Sequence, residues 1–275
     1  MKGKRLVVML SMLAFIVVLV VINSTLFTLQ SIIINWMTSQ NKLQGVKDYQ
    51  ISENISLGQN IFLLKKDSIT SSLEKKYPFL RVVSIETKFP NKIVIHSAER
   101  ESLYAIKLTD DSQGQSSNVQ YAIVDELGKI LEISDERYFD GTSGDLGATP
   151  IKVDFESMAL NIANFTIGET IQDQYIIELI KQLSYSLRES RYNPTTSKGV
   201  LKYINVVRLG EETEVSMETR SGIKLVIKDV ENYTTDKLLV ALERYNHYHY
   251  EGVIDCTIEV WYSEKVGGVV ANVVW

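Results

Sequence analysis

The N-terminal 26 residues constrain this chain most, because they contain a long charge-free segment that must be shielded from water. Residues 6–22 carry no charge and one polar side chain, Ser11, and no charged residue follows until Lys42. A helix needs about 20 apolar residues to cross the hydrocarbon of a bilayer. The apolar character extends to Leu26, so the sequence predicts a transmembrane helix over residues 6–26.

Basic residues before this segment set its predicted orientation. Lys2, Lys4 and Arg5 precede it, so the positive-inside rule makes residues 1–5 a cytoplasmic stub and places the rest of the chain outside. The alternative is a cleaved signal peptide, whose apolar core of about 7–15 residues ends at a small-residue cleavage site. The segment here is longer and offers only a poor site near Asn23, which favours an uncleaved anchor.

Charge and cysteine content exclude several classes of protein. The formal net charge is −5, and setting aside the three basic residues of the stub leaves 29 − 3 = 26 basic against 34 acidic residues, or −8. A domain this acidic is a poor ligand for nucleic acid or for an anionic lipid surface. The single cysteine, Cys256, rules out an intrachain disulfide.

No pattern of catalytic or metal-ligating residues stands out. His247 and His249 are two residues apart near the end of a predicted helix, so they do not share a helix face, and no H-E-x-x-H motif supports a metal site. Cys256 lies in a predicted strand with no motif that marks a base beside it. We therefore expect no enzyme, no cofactor and no metal, with a membrane-anchored secreted enzyme that lacks a recognisable motif as an alternative.

The first part of the extracytoplasmic chain predicts a compact α+β unit in the order strand, helix, helix, strand, strand. Its last two strands form a hairpin that turns at residues 89–91. Alternation in the first strand of the hairpin places Val83 and Ile85 on the same face, and Asp67 or Ser68 caps the second helix. The predicted elements are residues 27–36, 41–55, 67–76, 80–88 and 93–97.

The second part predicts a β-rich domain with two amphipathic helices. The predicted strands are residues 103–108, 121–124, 129–133, 202–208, 214–220, 224–227, 253–262 and 266–275, and the helices are 173–188 and 233–248. Thr234 or Thr235 caps the second helix. A terminal strand such as 266–275 either pairs with a partner's strand as an exposed edge or completes the sheet of its own chain, and the sequence leaves both open.

Several short motifs, taken in order, resemble the FtsQ/DivIB family of bitopic bacterial cell-division proteins. Residues 58–62 resemble the family's G-x-N-[ILF]-F, and residues 77–85 resemble its entry into a hairpin. Residues 89–95 are similar to its [FW]-P-[NDT]-x-[IL]-x-[IV] turn, which Glu99-Arg100 closes. Asp125 and Gly128 match the D-x-x-G of the next domain's first hairpin.

This resemblance implies an α+β architecture: a single transmembrane helix, a POTRA-like module over residues 27–102 and a β domain over residues 103–275. It implies a non-catalytic scaffold at the division septum, in a single-pass membrane protein with a cytoplasmic N-terminus. A POTRA-type adaptor in another envelope-assembly process is the alternative function.

The resemblance also implies partners and a contact surface. The expected partners are bitopic coiled-coil division proteins of the FtsB/DivIC and FtsL types, bound through the end of the β domain. The contact residues it implies are Glu259, Trp261, Tyr262, Val269, Val270, Ala271 and Val273.

Overall fold

The computed structural model describes residues 2–39, 42–43, 46–109, 119–135, 149–156, 158, 160–190 and 194–275, without the side chains of residues 2–8, 19, 22–24 and 194–196. Within this range the chain divides into two compact units, Met1–Arg100 and Glu101–Trp275. The sequence prediction placed the same division after residue 102.

The chain begins with helix α1, Lys2–Leu26. Every side chain of α1 that the structure describes is exposed, including Met9, Leu13 and Phe15 at 63% or more. Within the part of the chain that the structure describes, no helix is both long and apolar enough to span a membrane. The predicted transmembrane helix is therefore not confirmed by the structure. The side chains of the predicted stub, residues 1–5, lie outside the described set.

The rest of the first unit is a three-stranded sheet covered by two helices, in the predicted order of elements. In the sheet, β1 lies parallel to β3, and β3 pairs antiparallel with β2, giving the order β1-β3-β2. The elements are β1 Ser31–Trp36, α2 Asp48–Ser52, α3 Lys66–Lys76, β2 Leu80–Lys88 and β3 Lys92–Glu99, with a 3₁₀ turn at Ile61–Leu63.

A β-bulge in β2 changes which side chains face the core. The register against β3 shifts between Val82 and Ser84. Leu80 and Ile85 are buried and Val82 packs against the core, whereas Val83 is 50% exposed. A bulge adds one residue to one strand and so reverses the alternation of faces beyond it. The expectation that Val83 shares the face of Ile85 is therefore wrong.

The second unit is built on one nine-stranded sheet with helices against one face. The strand order is β12-β11-β10-β9-β8-β7-β4-β5-β6. The strands are β4 Tyr104–Leu108, β5 Gln120–Val124, β6 Ile130–Asp135, β7 Ile151–Phe155, β8 Leu201–Leu209, β9 Glu212–Thr219, β10 Lys224–Ile227, β11 Thr257–Ser263 and β12 Gly268–Val274. The helices are α4 Gln174–Glu189, α5 Pro194–Val200 and α6 Thr234–Tyr250.

Two of these elements are absent from the sequence prediction. Strand β7 pairs in parallel with β4 on one side and β8 on the other, and so joins the two halves of the sheet. Its residues alternate between buried Ile151, Val153 and Phe155 and partly exposed polar side chains, which is a strand signal. The short α5 is a third helix, where two were predicted.

The two long helices bury the predicted apolar faces but begin differently from expectation. In α4, all five residues of the predicted face are buried: Ile176, Leu179, Ile180, Leu183 and Leu187. Helix α6 is preceded by Tyr233 in the left-handed region, φ 55°, and Thr234 donates its hydroxyl to the carbonyl of Val230 instead of capping the helix. Likewise α3 follows Lys65, so Asp67 and Ser68 are helical and cap nothing.

A buried ion pair ties the first unit together. Arg100 Nη2 lies 2.8 Å from Glu74 Oε2, and Arg100 Nε donates to the carbonyl of Leu80 at 3.2 Å. The other carboxylate oxygen of Glu74 accepts from the backbone N–H of Val82 at 2.9 Å. The pair therefore fixes helix α3 to the bulged end of β2 and to the residue that follows β3. The side chains of Arg100 and Glu74 are only 7% and 14% exposed.

Replacing Arg100 by leucine is expected to destabilise the first unit by about 3 kcal/mol, because the buried carboxyl group of Glu74 then loses the guanidinium that it pairs with. Hydrogen exchange of the β2 and β3 amides in the full chain measures this free energy. The control is Arg81→Leu at an exposed position of β2, with a loss of stability below about 1 kcal/mol. If both variants lose the same amount of stability, the ion pair between Arg100 and Glu74 does not stabilise the first unit.

Gly222 controls how closely the turn after β9 approaches the segment before β11. Its φ is +94°, and a Cβ built on it lies 2.5 Å from the carbonyl oxygen of Ile254. Gly210, in the turn between β8 and β9, has a similar φ of +72° but nothing within 4 Å of such a Cβ. The two glycines thus share a backbone conformation, but an added Cβ would clash with a neighbouring backbone atom only at Gly222.

We expect Gly222→Ala to destabilise the second unit by roughly 2 kcal/mol more than Gly210→Ala. Both variants place a Cβ in the left-handed region, at about 1 kcal/mol, but only the first forces backbone atoms apart. Exchange rates of the β10 and β11 amides report the difference. If the β10 and β11 amides exchange at the same rates in the two alanine variants, the contact between residue 222 and Ile254 does not determine the stability of the turn.

Candidate protein-binding surface

Strand β12 lies at one edge of the nine-stranded sheet. It pairs antiparallel with β11, and no strand among the described residues pairs with its other side, which we call the β12 edge. In an antiparallel strand, alternate backbone groups point away from the paired neighbour. The β12 edge therefore presents backbone N–H and C=O groups that can pair with an added strand.

A tight turn sets the register of the β11–β12 hairpin. The backbone N–H of Gly267 donates to the carbonyl of Ser263 at 2.8 Å, and Gly267 has φ 69°. The resulting register pairs Trp261 with Val270 and Tyr262 with Val269. The two aromatic residues that the resemblance implied as contacts therefore lie directly beside the implied valines.

The implied contact residues divide between the two faces of this hairpin. Val269, Ala271 and Val273 pack against the hydrophobic core on the side covered by α6. Glu259, Trp261 and Val270 alternate with these core-facing residues and so lie on the open face. The structure thus brings all seven positions to one hairpin, but no flat surface contains them all.

A groove runs between α6 and β12. It has a volume of about 600 Å³ and is lined by Val240, Glu243, Arg244 and His247 of the helix and residues 269–271 of the strand. Its wall combines valine and alanine side chains with both signs of charge. An added strand at the β12 edge would lie beside this groove, so side chains of that strand could enter it.

Glu259 already has a partner within the chain. Its carboxylate lies 3.0 Å from the ammonium of Lys228, the residue after β10, and both side chains are partly exposed. An exposed pair of this kind adds little stability and can exchange partners. Lys228 was not among the sequence-predicted contacts, and nothing in its sequence context marks it.

A stacked pair of tyrosines lies on the α6 side of the hairpin, because Tyr262 is paired with core-facing Val269. The rings of Tyr233 and Tyr262 lie 4.4 Å apart with an angle of 9° between their planes. The neighbouring Tyr233 phenol raises the pKa of Tyr262. Tyr233 is 53% exposed, so the stack widens the aromatic surface beside β12.

Buried Lys237 holds the segment that carries Tyr233. Its ammonium donates to the carbonyls of Lys228, at 2.9 Å, and Asp229, and lies 3.6 Å from the Asp229 carboxylate. Burial lowers the pKa of Lys237, an effect that Asp229 opposes. The sequence could have indicated that Lys237 is buried, because Lys237 precedes buried Ala241 by four residues and so lies on the same face of the helix.

The histidines near the end of α6 have local partners. His247 Nε2 lies 3.5 Å from Glu251, and the ring of His249 stacks on Tyr245. Within the part of the chain that the structure describes, no three His, Cys, Asp or Glu side chains come together as metal ligands. The surface around β12 combines an edge of backbone groups, aromatic rings and side chains of both charges.

Two of the family-like motifs have a clear structural role. The Asn60 side chain accepts from the backbone N–H of Phe62 at 2.9 Å and so caps the 3₁₀ turn that follows Gly58. The Asp125 carboxylate accepts from the N–H groups of Leu127 and Lys129, and Gly128 supplies φ 76° in the same turn. These residues are recognisable in sequence because each performs a local backbone task.

Comparison with known proteins finds sequences that are similar to parts of the chain. A family model described as "POTRA domain, FtsQ-type" matches residues 42–100. Curated proteins named "Cell division protein DivIB" are similar to the chain: 30% identity over 129 residues in Clostridium botulinum and 30% over 154 in Clostridium acetobutylicum. These matches cover 47% and 54% of the chain, and 45% and 53% of the relatives.

A third relative of the same name, from Clostridium tetani, is 33% identical over 84 residues, which cover 30% of the chain and 28% of the relative. The chain therefore matches about half or less of the length of each of these relatives. Residues 42–100 are similar to the FtsQ-type POTRA domain, and the predicted resemblance of the chain to the FtsQ/DivIB family of cell-division proteins is confirmed.

Proposed function

We propose that this protein is a non-catalytic scaffold of the division septum that binds partner proteins through the β12 edge. The observation that carries the proposal is the largely apolar β12 edge, which no described strand pairs with and which lies beside the groove between α6 and β12. The same chain also matches an FtsQ-type POTRA domain. The similarity to proteins named for cell division supports the septal role.

The proposal includes a membrane anchor formed by residues 6–26. These 21 residues, at 1.5 Å of rise per residue, give a helix about 31 Å long, which matches the hydrocarbon thickness of a bilayer. The segment carries no charge, and the α1 side chains described are exposed around the helix. Lys2, Lys4 and Arg5 support a cytoplasmic N-terminus.

The proposed partners are the bitopic coiled-coil proteins of the FtsB/DivIC and FtsL types that the family resemblance implies. An extended segment of such a partner would pair with β12 through its backbone, which supplies affinity with little demand on sequence. The side chains of that segment would supply specificity by contacting the α6 groove on one face and Trp261 on the other.

A fluorescent protein fused before Met1 is expected to form a band at mid-cell before constriction begins, because a scaffold must arrive before the partners it recruits can act. Microscopy of the native host measures this. An even distribution around the cell periphery would contradict the septal role and favour an adaptor in another envelope-assembly process.

Lysines on the β12 edge are expected to weaken partner binding at least tenfold, or about 1.4 kcal/mol. Charged side chains, especially lysine, prevent strand addition at natural sheet edges. The variant is Val270→Lys with Val274→Lys, and the measurement is the Kd of the full chain for purified DivIC-type and FtsL-type partners.

The control for this variant is Val207→Lys, on β8 in the interior of the same sheet. Val207 is partly exposed and lies opposite Glu214, so a lysine is tolerated there. Binding should be unchanged in the control. If the edge variant retains wild-type affinity while its α6 amides keep their exchange protection, the β12 edge is not the binding surface.

A further inference from the structure

Three phenylalanine rings form a cluster on the first unit, which we call the aromatic triad. Phe27 is partly buried against the core of that unit, and the other two rings are exposed. Phe62 lies between the other two, with ring centroids 5.1 Å from Phe27 and 5.4 Å from Phe89. The rings of Phe27 and Phe89 are 6.4 Å apart. Phe62 and Phe89 are 59% and 63% exposed, and neighbouring Leu63 is 79% exposed.

The triad is held in place by backbone hydrogen bonds. The N–H of Ile61 donates to the carbonyl of Phe27 at 2.9 Å, which fixes the 3₁₀ turn beside the first ring. The N–H of Gln30 donates to the carbonyl of Asn91 at 2.8 Å, which fixes the β2–β3 hairpin tip that carries Phe89. Three separate segments therefore present the rings together, although exposed aromatic surface is unfavourable in water.

The position of the triad relative to α1 indicates what covers it. Phe27 directly follows Leu26, the last residue of α1. The other two rings lie within 6.4 Å of the Phe27 ring. If residues 6–26 span the hydrocarbon, Leu26 lies at its outer boundary, and the triad must lie within one or two residue lengths of the lipid headgroups.

The charge of the segments that carry the triad is compatible with a position beside lipid headgroups. Residues 60–68 and 86–92 contain four lysines and two acidic residues, a local net charge of +2, although residues 6–275 together carry −8. Lys88 is paired with Glu86 at 2.9 Å. Lysines that flank an exposed apolar surface can keep their ammonium groups among lipid phosphates while their stems lie along the apolar groups.

We infer that the aromatic triad docks on the outer surface of the bilayer, with its rings at the boundary between headgroups and acyl chains. This inference rests on the proposed membrane anchor. Anchoring by α1 brings the triad to the lipid, and docking then restricts how the POTRA domain can turn about the end of the helix. Phe and Leu side chains commonly occupy this depth in surface-bound proteins.

Lipid quenching of a fluorophore on the full chain tests the inference. The single native cysteine is replaced in a Cys256→Ala background, and Phe62→Cys or Phe89→Cys is labelled with the environment-sensitive dye NBD. The chains are reconstituted into phosphatidylglycerol–phosphatidylcholine vesicles that carry a doxyl quencher at a shallow or a deep position of the acyl chain.

Two controls separate docking from anchoring. Met37→Cys carries the dye at an apolar residue that is 61% exposed and follows Trp36, the far end of β1. The five residue steps from Ser31 to Trp36 place that end about 17 Å from the start of the strand. Leu13→Cys, in the middle of α1, reports insertion of the helix itself.

We expect shallow doxyl lipid to quench both triad labels at least twice as strongly as the Met37 label, and deep doxyl lipid to quench the Leu13 label. Quenching at Leu13 with the triad labels no different from Met37 would overturn docking and leave the anchor standing. No quenching at Leu13 would overturn both proposals. A blue-shifted triad label without lipid quenching would mean that protein, such as a second copy, covers the triad, which also overturns docking.

Discussion

The parallel pairing of β7 with β4 and β8 is the constraint on which the architecture of the second unit depends. Strands β4 to β6 form one group of antiparallel strands and strands β8 to β10 form another, and among the strands that the structure describes only β7 links the two groups within the sheet. Both groups share one hydrophobic core with α4 and α6 because β7 makes the sheet continuous. The position of β12 at the far edge follows from this continuity.

The surface near β12 is shaped by buried polar contacts behind it. Lys237 occupies a fully buried position on α6 and uses its ammonium to bind backbone carbonyls before the helix. This contact fixes a segment in which Asp229 and Tyr233 both have positive φ, a conformation that costs energy in residues other than glycine. The segment in turn presents the Tyr233 ring to Tyr262, so an exposed aromatic surface depends on a buried cation.

The sequence predicted the elements whose signals are local. The amphipathic period of α4, the Pro90 turn and the D-x-x-G hairpin all reflect interactions within a few residues, and the structure contains each of them. It did not predict the bulge at Val83, because Val82 and Val83 are both apolar and the sequence does not distinguish which of them faces the core. For the candidate site, the two strands were predicted, but their pairing with each other was left open. Lys228, Tyr233 and the groove between α6 and β12 were not predicted, because they reach β11 and β12 only through tertiary packing.

The composition of β12 has a consequence for the amount of protein a cell can hold. Residues 266–275 contain no charge and no proline, and the described edge shows no bulge. Charged side chains, prolines and bulges are the features by which natural sheets prevent two edges from pairing with each other, and this strand has none of them. Free chains can therefore associate through this strand at high concentration. When the cell makes this chain and the partner that pairs with its β12 edge in matched amounts, few chains have a free edge. Overproduction of this chain alone favours aggregates.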